Sequence, residues 1–294
     1  MVSDPREVDG KAPPLRRGFF FPVLALVLLA AGAALAAEAW KRIPWHLADI
    51  WWTLDDAVEF REFSIEVEIA GAVGGEVPLY IAPTGLLTIN GIRAYGGLQT
   101  QVHQMGREAA RGIIFSRWDE RREDHIRAAP GGVGVSSGSE GDFVSVRNRM
   151  DWREGRYRVI LTREAADAES SWLRYRVCAL PADACAEAGS LKFPGASTRL
   201  GRSFNSFFEV YGKEIAPDQV PRATVVFRDP QVDGKPVRLK QASAFYPGDV
   251  PPRAKASGAG AAAVRVESGP IHDRAGLAAT PKGVRYERLQ LVSH

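Results

Sequence analysis

The side chains best suited to chemistry in this chain fall mostly between positions 95 and 152. They are aromatic, amide and carboxylate groups carried by short β-like segments. Aromatic rings stack on sugar rings, whereas amides and carboxylates hydrogen-bond to hydroxyl groups. This combination predicts a carbohydrate-binding face. Six residues are the candidates for it: Tyr95, Gln99, Trp118, Asp119, Glu140 and Trp152.

Carboxylates could also perform catalysis. A glycoside hydrolase needs one carboxyl group to protonate the leaving oxygen and a second one as nucleophile or base. The catalytic candidates are Glu140, Glu209 and Asp119, with Asp142 nearby. A polysaccharide-active enzyme, either a glycoside hydrolase or a lyase, is therefore the alternative to a binding protein. The third hypothesis is an envelope protein that binds another protein.

Each candidate also has a structural interpretation. The paired glycines beside Tyr95 fit a β-bulge or a tight turn around a core tyrosine. Trp118 could cap the core, and Trp152 could face either a ligand or the core. Acidic residues in loops are commonly solvated or paired with arginine, of which this chain has many.

No metal site or other cofactor site is predicted, apart from Ca²⁺ held by some of the same carboxylate oxygens. A regular Asp-x-Asp calcium loop is absent, and the five histidines are too widely spaced for a zinc site. Residues 134–138 match the Gly-x-Ser-x-Gly pattern of a nucleophile elbow, which requires a strand that turns into a helix. Further glycines and a strand-like run follow here, so the match is interpreted as chance.

The elements that would position these residues are strands. Phe63, Ile65, Val67 and Ile69 alternate with polar residues, which is typical of a strand with one buried face. The same alternation occurs at 157–161 and 173–177, and further short runs cover 224–227, 237–239 and 286–292. One short helix is predicted near 46–57. The fold class expected is all-β: a two-layer antiparallel β-sandwich, jelly-roll-like, preceded by an N-terminal hydrophobic helix.

The chain divides into four predicted regions. Residues 1–39 are an export signal or an N-terminal membrane anchor, and residues 40–250 are the β-sandwich domain. Residues 251–270 are rich in Ala, Gly and Ser, which predicts a flexible linker or long loop. Residues 271–294 form a C-terminal segment that could supply a strand returning close to the first one.

The N-terminus indicates export. Arg16 and Arg17 precede an apolar run over residues 18–37 that ends in small residues, as in a signal peptide. The run also has the length of about 20 residues that spans a bilayer, so an uncleaved transmembrane helix is the alternative. The rest of the chain is expected in the periplasm or at the cell surface, with membrane attachment if the segment is retained. A twin-arginine route lacks the Lys of the fuller pattern.

Tryptophans are concentrated directly after this segment, at Trp40, Trp45, Trp51 and Trp52. They are predicted to pack against the sandwich or to lie at the membrane interface, with a binding platform as the alternative.

The composition limits the kinds of partner that are expected for this protein. The chain has 294 residues, 45% of them hydrophobic, which is ordinary for a globular protein. Its net charge is +3 and the charges of both signs are interleaved, so nucleic acid is not an expected partner. Export makes a disulfide between Cys178 and Cys185 the favoured state of the two cysteines.

The order of several motifs resembles that of exported, mostly bacterial proteins known as the domain of unknown function 3472 family. The matching segments are 95–99 (YGGLQ), 113–119 (IIFSRWD), 138–141 (GSEG), 152–157 (WREGRY), 207–209 (FFE) and 222–223 (RA). The resemblance extends from about His46 to Tyr246. In the family the third motif continues into a further Gly pair, whereas Asp142 and Phe143 follow here. The resemblance implies export and brings no established activity with it.

Overall fold

The computed structural model describes residues 45–71, 73–104, 106–138, 141–212, 215–216, 219–246, 253–269, 278–279 and 285–291. All of them belong to one compact unit, Trp40–His294. The predicted export signal or anchor over residues 1–39, Trp40, and the catalytic candidate Glu140 lie outside these ranges. The part of the chain that the structure describes includes no helix with the length and apolar character needed to cross a membrane.

The described residues form 21 strands and one short 3₁₀ helix, Glu123–His125. The strands are β1 (Trp45–Leu54), β2 (Val58–Glu59), β3 (Glu62–Gly71), β4 (Leu79–Ile89), β5 (Ile92–Val102), β6 (Ala110–Trp118), β7 (Ile126–Ala128), β8 (Val133–Ser137), β9 (Phe143–Arg149), β10 (Gly155–Ala166), β11 (Ser170–Leu180), β12 (Ala184–Pro194), β13 (Arg199–Leu200), β14 (Ser203–Val210), β15 (Ala223–Val232), β16 (Lys235–Pro236), β17 (Leu239–Tyr246), β18 (Ala254–Gly260), β19 (Ala263–Ser268), β20 (Ala278–Ala279) and β21 (Arg285–Leu289).

Two antiparallel sheets contain these strands. Sheet A has the order β20-β21-β17-β1-β14-β4-β5-β6-β9-β8, with β13 and β2 beside β4. Sheet B has the order β18-β19-β15-β3-β10-β11-β12-β7, with β16 beside β15. The prediction of an all-β sandwich is confirmed. Neighbours such as β1 and β14 are far apart in sequence, as in a jelly-roll-like sandwich, so most of the pairing is non-local.

The hydrophobic core lies between the two sheets. Phe63, Ile65, Val67 and Ile69 of β3 all belong to this core, on the face that the sequence predicted to be buried. Aromatic rings connect the layers: Phe115 of sheet A stacks on Tyr175 of sheet B, with 4.9 Å between ring centroids. Because every second residue of a strand points inward, the other half of sheet A is left facing away from the core.

The short helix predicted near residues 46–57 is wrong, because this segment is strand β1. Ala48, Ile50, Trp52 and Leu54 are buried in the core, with a period of two. A register irregularity between His46 and Ala48 interrupts the alternation at its start and leaves both Leu47 and Ala48 buried. Because of this irregularity, the apolar residues of the segment do not keep a strict period of two, and part of their spacing resembles that of a helix.

The prediction of a flexible linker over residues 251–270 is wrong for the part of this segment that the structure describes. Strands β18 and β19 form a hairpin at the edge of sheet B, where Ala254, Ala256, Val264 and Val266 turn their side chains into the core. Small alanine side chains suffice at this edge, so a composition typical of linkers is compatible with a strand.

The remaining C-terminal prediction is confirmed: β21 pairs with β17, which in turn pairs with β1. The disulfide is also confirmed. Cys178 on β11 and Cys185 on β12 are directly opposite each other and are joined. The pair therefore links two strands of a hairpin.

Candidate functional site

A cleft of about 850 Å³ lies on the outer face of sheet A. The side chains that line it come from alternate positions of six neighbouring strands, β1, β14, β4, β5, β6 and β9, and from the edge strand β8. Seven aromatic residues form much of its surface: Trp51, Tyr80, Tyr95, Trp118, Phe143, Phe207 and Tyr211. The outward half of sheet A thus carries a concave surface rich in rings.

Strand register places four polar side chains side by side across this cleft. His46 is opposite Glu209, Glu209 is opposite Tyr80, and Tyr80 is opposite Gln99. We refer to these four residues as the polar row. Directly opposed residues have Cβ atoms about 4.5–5.5 Å apart, so each member of the row can act together with its neighbour.

His46 is held at one end of the polar row. Its Nδ1 is 2.7 Å from Oδ1 of Asp49, and its ring stacks on Phe207 with 4.1 Å between centroids. The amide of Asn205 donates a second hydrogen bond of 3.1 Å to the same Asp49 oxygen. The other ring nitrogen, Nε2, is 3.8 Å from Glu209. The imidazole is therefore oriented by one carboxylate and faces another.

Electrostatics favour the protonated form of His46. Burial by itself would lower the pKa of the imidazole, but the hydrogen bond to Asp49 and the negative charges of Asp49 and Glu209 outweigh it and raise the pKa above its usual value. A raised pKa favours the charged imidazolium, which can donate a proton to a ligand.

Tyr80 occupies the middle of the polar row and is almost completely buried. Its ring packs edge-on against Phe207, Tyr95 and Tyr211. The hydroxyl oxygen is inaccessible and makes no hydrogen bond to any residue that the structure describes. Burial, and then the surrounding tyrosines and Glu209, raise the pKa of this hydroxyl well above its usual value, so the group stays protonated.

An apolar floor underlies the polar row. Tyr80, Ala82, Ile114 and Phe207 are buried together there, with Tyr95 and Tyr211 packed against them. This small cluster is separate from the core between the sheets. A floor of this kind removes water from beneath a ligand and strengthens the hydrogen bonds made above it.

The glycines beside Tyr95 allow close approach of other parts of the protein. A Cβ on Gly96 would lie 2.7 Å from the ring of Tyr175, which crosses from sheet B. A Cβ on Gly97 would lie 2.6 Å from the Cα of Ala82 on β4. The hydroxyl of Tyr175 also contacts Thr84 Oγ1 at 2.9 Å beneath this point. In the structure these two glycines therefore serve packing, and the residues around them reach the cleft.

Trp118 forms the far wall of the cleft, at the end of β6. Its ring lies 5.7 Å from those of Tyr95 and Phe143, and the guanidinium of Arg93 lies 5.9 Å above it. Asp119 follows with a positive φ of 59° and a side chain that is 61% exposed. This carboxylate is 3.6 Å from Arg93 and does not line the cleft.

The structure brings together part of the predicted face. Tyr95, Gln99 and Trp118 line the cleft, as does the catalytic candidate Glu209. Asp119 lies beside it, and Glu140 is outside the described residues.

Trp152 is instead in the core between the sheets and is 1% exposed. Its indole N–H is within hydrogen-bonding distance of two carbonyl oxygens, of Gln99 at 3.0 Å and Gly112 at 3.2 Å. These bonds tie together β5 and β6, so the residue supports two strands of the cleft from the inside.

Several lining residues were not among the predicted site residues: His46, Asp49, Tyr80, Asn205, Phe207 and Tyr211. Trp51 was predicted only within the alternative of a tryptophan binding platform. The motif at 207–209 contained a usable signal, because Phe207 and Glu209 alternate with the buried Phe208 and hence share the outer face. The pair Trp51 and Trp52 contained a similar signal. Adjacent residues of a strand point to opposite faces, so one of the two rings had to face outward.

Metal ligands are not assembled in the described ranges: no group of three or more His, Cys, Asp or Glu side chains there could hold an ion. The calcium hypothesis stays a prediction.

Comparisons with known proteins give little further information. No family model matches the chain. No curated protein matches it. One solved structure with detectable similarity is "SCP-B a member of the Eqolisin family of Peptidases in a complex with a Tripeptide Ala-Ile-His", at 12% identity and a TM-score of 0.35, covering 77% of this chain and 100% of that chain. A similarity at this TM-score carries no argument about function.

Proposed function

We propose that this protein binds a carbohydrate in the cleft of sheet A. The observation that carries the proposal is that three half-buried aromatic rings, those of Trp51, Tyr95 and Trp118, line one cleft together with amide and carboxylate groups. Rings that are partly exposed offer faces for stacking on a sugar. The cleft volume falls within the range of about 300–1,000 Å³ typical of small-ligand sites.

The polar groups suit a ligand rich in hydroxyls. Gln99, Asn205 and Glu209 provide donors and acceptors along the cleft. A sugar hydroxyl can donate and accept at the same time, so a single ligand type can use amides and carboxylates together. An apolar ligand would displace water from these groups without offering them a hydrogen bond, which costs free energy.

The second candidate function is a polysaccharide-active enzyme. The observation that favours it is the placement of His46, oriented by Asp49 at 2.7 Å and facing Glu209 at 3.8 Å. A carboxylate and an imidazole that face each other at the edge of a binding cleft can serve as general acid and base. Glu209 is one of the three catalytic candidates taken from the sequence, with Glu140 and Asp119.

A glycan array tests the binding proposal. We expect the parent protein to give a specific signal that Trp118→Ala loses. Trp172→Ala is the matched control, because Trp172 is also half-buried but lies on sheet B, with Arg127 3.7 Å above its ring. Absence of binding by a folded parent would refute the proposal and favour a protein partner. Loss of signal in both variants would indicate damage to the fold.

The enzyme candidate is tested with the same ligand. Products of any bound glycan are separated by size after incubation with the parent, with Glu209→Gln and with Glu140→Gln. Shortening by the parent, together with binding without shortening by either variant, would establish catalysis. An unshortened ligand would leave binding as the function.

Export to the periplasm or the cell surface, with or without a retained membrane anchor, is part of this proposal. The Cys178–Cys185 disulfide supports it, since such bonds persist in oxidising compartments. Membership in the domain of unknown function 3472 family is proposed as well. Its support is that two of the family's motifs, at 95–99 and 113–119, lie on the adjacent strands β5 and β6.

A further inference from the structure

The hydroxyl group of Tyr80 is anomalous for a folded protein. It is buried beneath the cleft, yet it hydrogen-bonds to no described residue. Other buried tyrosines satisfy this group: Tyr175 contacts Thr84 Oγ1 at 2.9 Å, and Tyr157 donates to the carbonyl oxygen of Arg153 at 2.9 Å. Buried polar groups without partners cost free energy and are rare, so an orphaned hydroxyl in a cleft indicates a missing ligand atom.

The neighbours of Tyr80 define what that atom could be. In the polar row, Glu209 lies on one side of it and Gln99 on the other. Gln99 also lines the cleft and carries an amide group that can donate and accept hydrogen bonds. A hydroxyl oxygen could accept a bond from Tyr80 while its proton goes to the Glu209 carboxylate. A second hydroxyl on the adjacent carbon could meet the amide of Gln99.

The charges around the polar row further restrict the class of ligand that this end of the cleft can bind. Asp49 and Glu209 place two carboxylates at this end of the cleft, and their side chains are only 23% and 19% exposed. Arg147, a cation that lines the cleft, lies on β9 and directs its guanidinium to the carbonyl oxygen of His103 at 3.3 Å, so its charge is held at the far side of the cleft from His46. Two carboxylates flank the single imidazolium of His46, so a uronate carboxylate above the polar row would face a net negative charge at low solvent exposure, which disfavours its binding. A neutral sugar avoids this repulsion.

We propose that Tyr80 is the specificity-determining residue of the cleft, and that its hydroxyl donates a hydrogen bond to one of two adjacent hydroxyls of a neutral sugar ring seated on the polar row. This inference rests on the proposed function and names its ligand class. Phe207, Ile114 and Ala82 pack with the ring of Tyr80. Because the hydroxyl oxygen is inaccessible in the free protein, binding requires a small displacement of the side chains that cover it.

For the Tyr80→Phe variant we expect two effects, one on thermal stability and one on ligand affinity. The variant keeps the ring and removes the orphaned hydroxyl, so the free protein should become more stable, with a melting temperature raised by about 2–4 °C. Binding of the ligand should weaken about fivefold, the cost of one hydrogen bond between neutral groups. Tyr175→Phe is the control: it removes a satisfied hydroxyl from the core, so it should lower the melting temperature and leave affinity unchanged.

The measurements are calorimetric titration and thermal unfolding. The probes are cellohexaose, mannohexaose, xylohexaose and laminarihexaose as neutral oligosaccharides, and hexagalacturonate as the uronate. We expect at least one neutral probe to bind more tightly than the uronate and to lose affinity in Tyr80→Phe. Tighter binding of the uronate would overturn the inference.

Two further results would also overturn it. An unchanged dissociation constant in Tyr80→Phe would mean that the hydroxyl does not contact the ligand. A melting temperature lowered as in Tyr175→Phe would mean that the hydroxyl already has a partner in the free protein. Either result refutes the role of Tyr80 while the parent still binds sugar. Failure of the parent to bind any probe or any glycan of an array refutes the proposed function itself, and the role of Tyr80 with it.

Discussion

Gly97 of strand β5 lies close against the backbone of strand β4. Gly97→Ala should therefore reduce the free energy of unfolding. A Cβ at this position would overlap the carbonyl oxygen of Ile81 and would lie 2.6 Å from the Cα of Ala82. Both atoms belong to the backbone of β4, so no side chain can rotate away. Since ordinary carbon contacts are about 3.5–4.0 Å, the strand would have to move by about 1 Å.

The expected magnitude follows from that displacement. Extra atoms forced into a packed interior destabilise by about 1–3 kcal/mol, and a backbone obstacle places Gly97→Ala near the upper end. Gly75→Ala is the matched control, because its Cβ would have nothing within 4 Å. We expect the control to change the free energy of unfolding by less than about 0.5 kcal/mol.

Equilibrium unfolding in urea, followed by tryptophan fluorescence, measures both variants. The same displacement would move Tyr80 relative to Gln99, because these two residues are paired across β4 and β5. Ligand affinity should hence fall in Gly97→Ala and not in Gly75→Ala. Equal unfolding free energies for the two variants would refute the reasoning, since they would mean that β4 can accommodate a methyl group at no cost.

Three other predictions concern the disulfide, the core and the imidazole. Replacing Cys178 and Cys185 together by Ser should lower the free energy of unfolding by about 2.5 kcal/mol on the chain-entropy model; an unchanged urea midpoint would contradict this. Trp52→Ala should cost about 3–5 kcal/mol, because the side chain is fully buried and its indole N–H bonds to Ser206 Oγ at 3.0 Å. Trp51→Ala is its control and should cost clearly less in the same urea titration, so equal losses would argue against the assigned faces of β1. The pKa of His46 is raised in the folded state, so its contribution to stability is complete below the unfolded pKa of about 6.5 and is lost as the pH rises through the folded pKa. Between pH 5.5 and 8 the stability of the parent should therefore fall relative to that of His46→Gln, and parallel profiles would exclude this linkage.

Much of the fold could be predicted from local sequence patterns. The strand around Val67 and those around Val159 and Tyr175 were visible as alternation of apolar and polar residues, and the apolar set of each strand belongs to the core of the sandwich. The pattern failed where local structure departs from a regular period. The irregularity in β1 obscured the strand that carries His46, and the alanine-rich strands β18 and β19 resembled a linker.

The site was harder to predict because its parts come from distant positions in the chain. Tyr95, Gln99 and Trp118 were found because they lie on consecutive strands within one informative stretch. Their partners Tyr80 and Glu209 are neighbours only through sheet register, which sets residues 129 positions apart directly opposite each other. Sequence spacing contains no information about such pairs.

The sequence by itself determined the all-β class, the inward half of the most regular strands and the cysteine pair, because these depend on periodicity and composition. Tertiary structure alone decided which outward residues share a cleft, that Trp152 is a core residue, and that the hydroxyl of Tyr80 is left without a partner among the described residues. The physical reason is that hydrophobic alternation fixes which face of a strand is buried. Hydrogen-bonded register between strands far apart in sequence fixes which side chains meet on the other face.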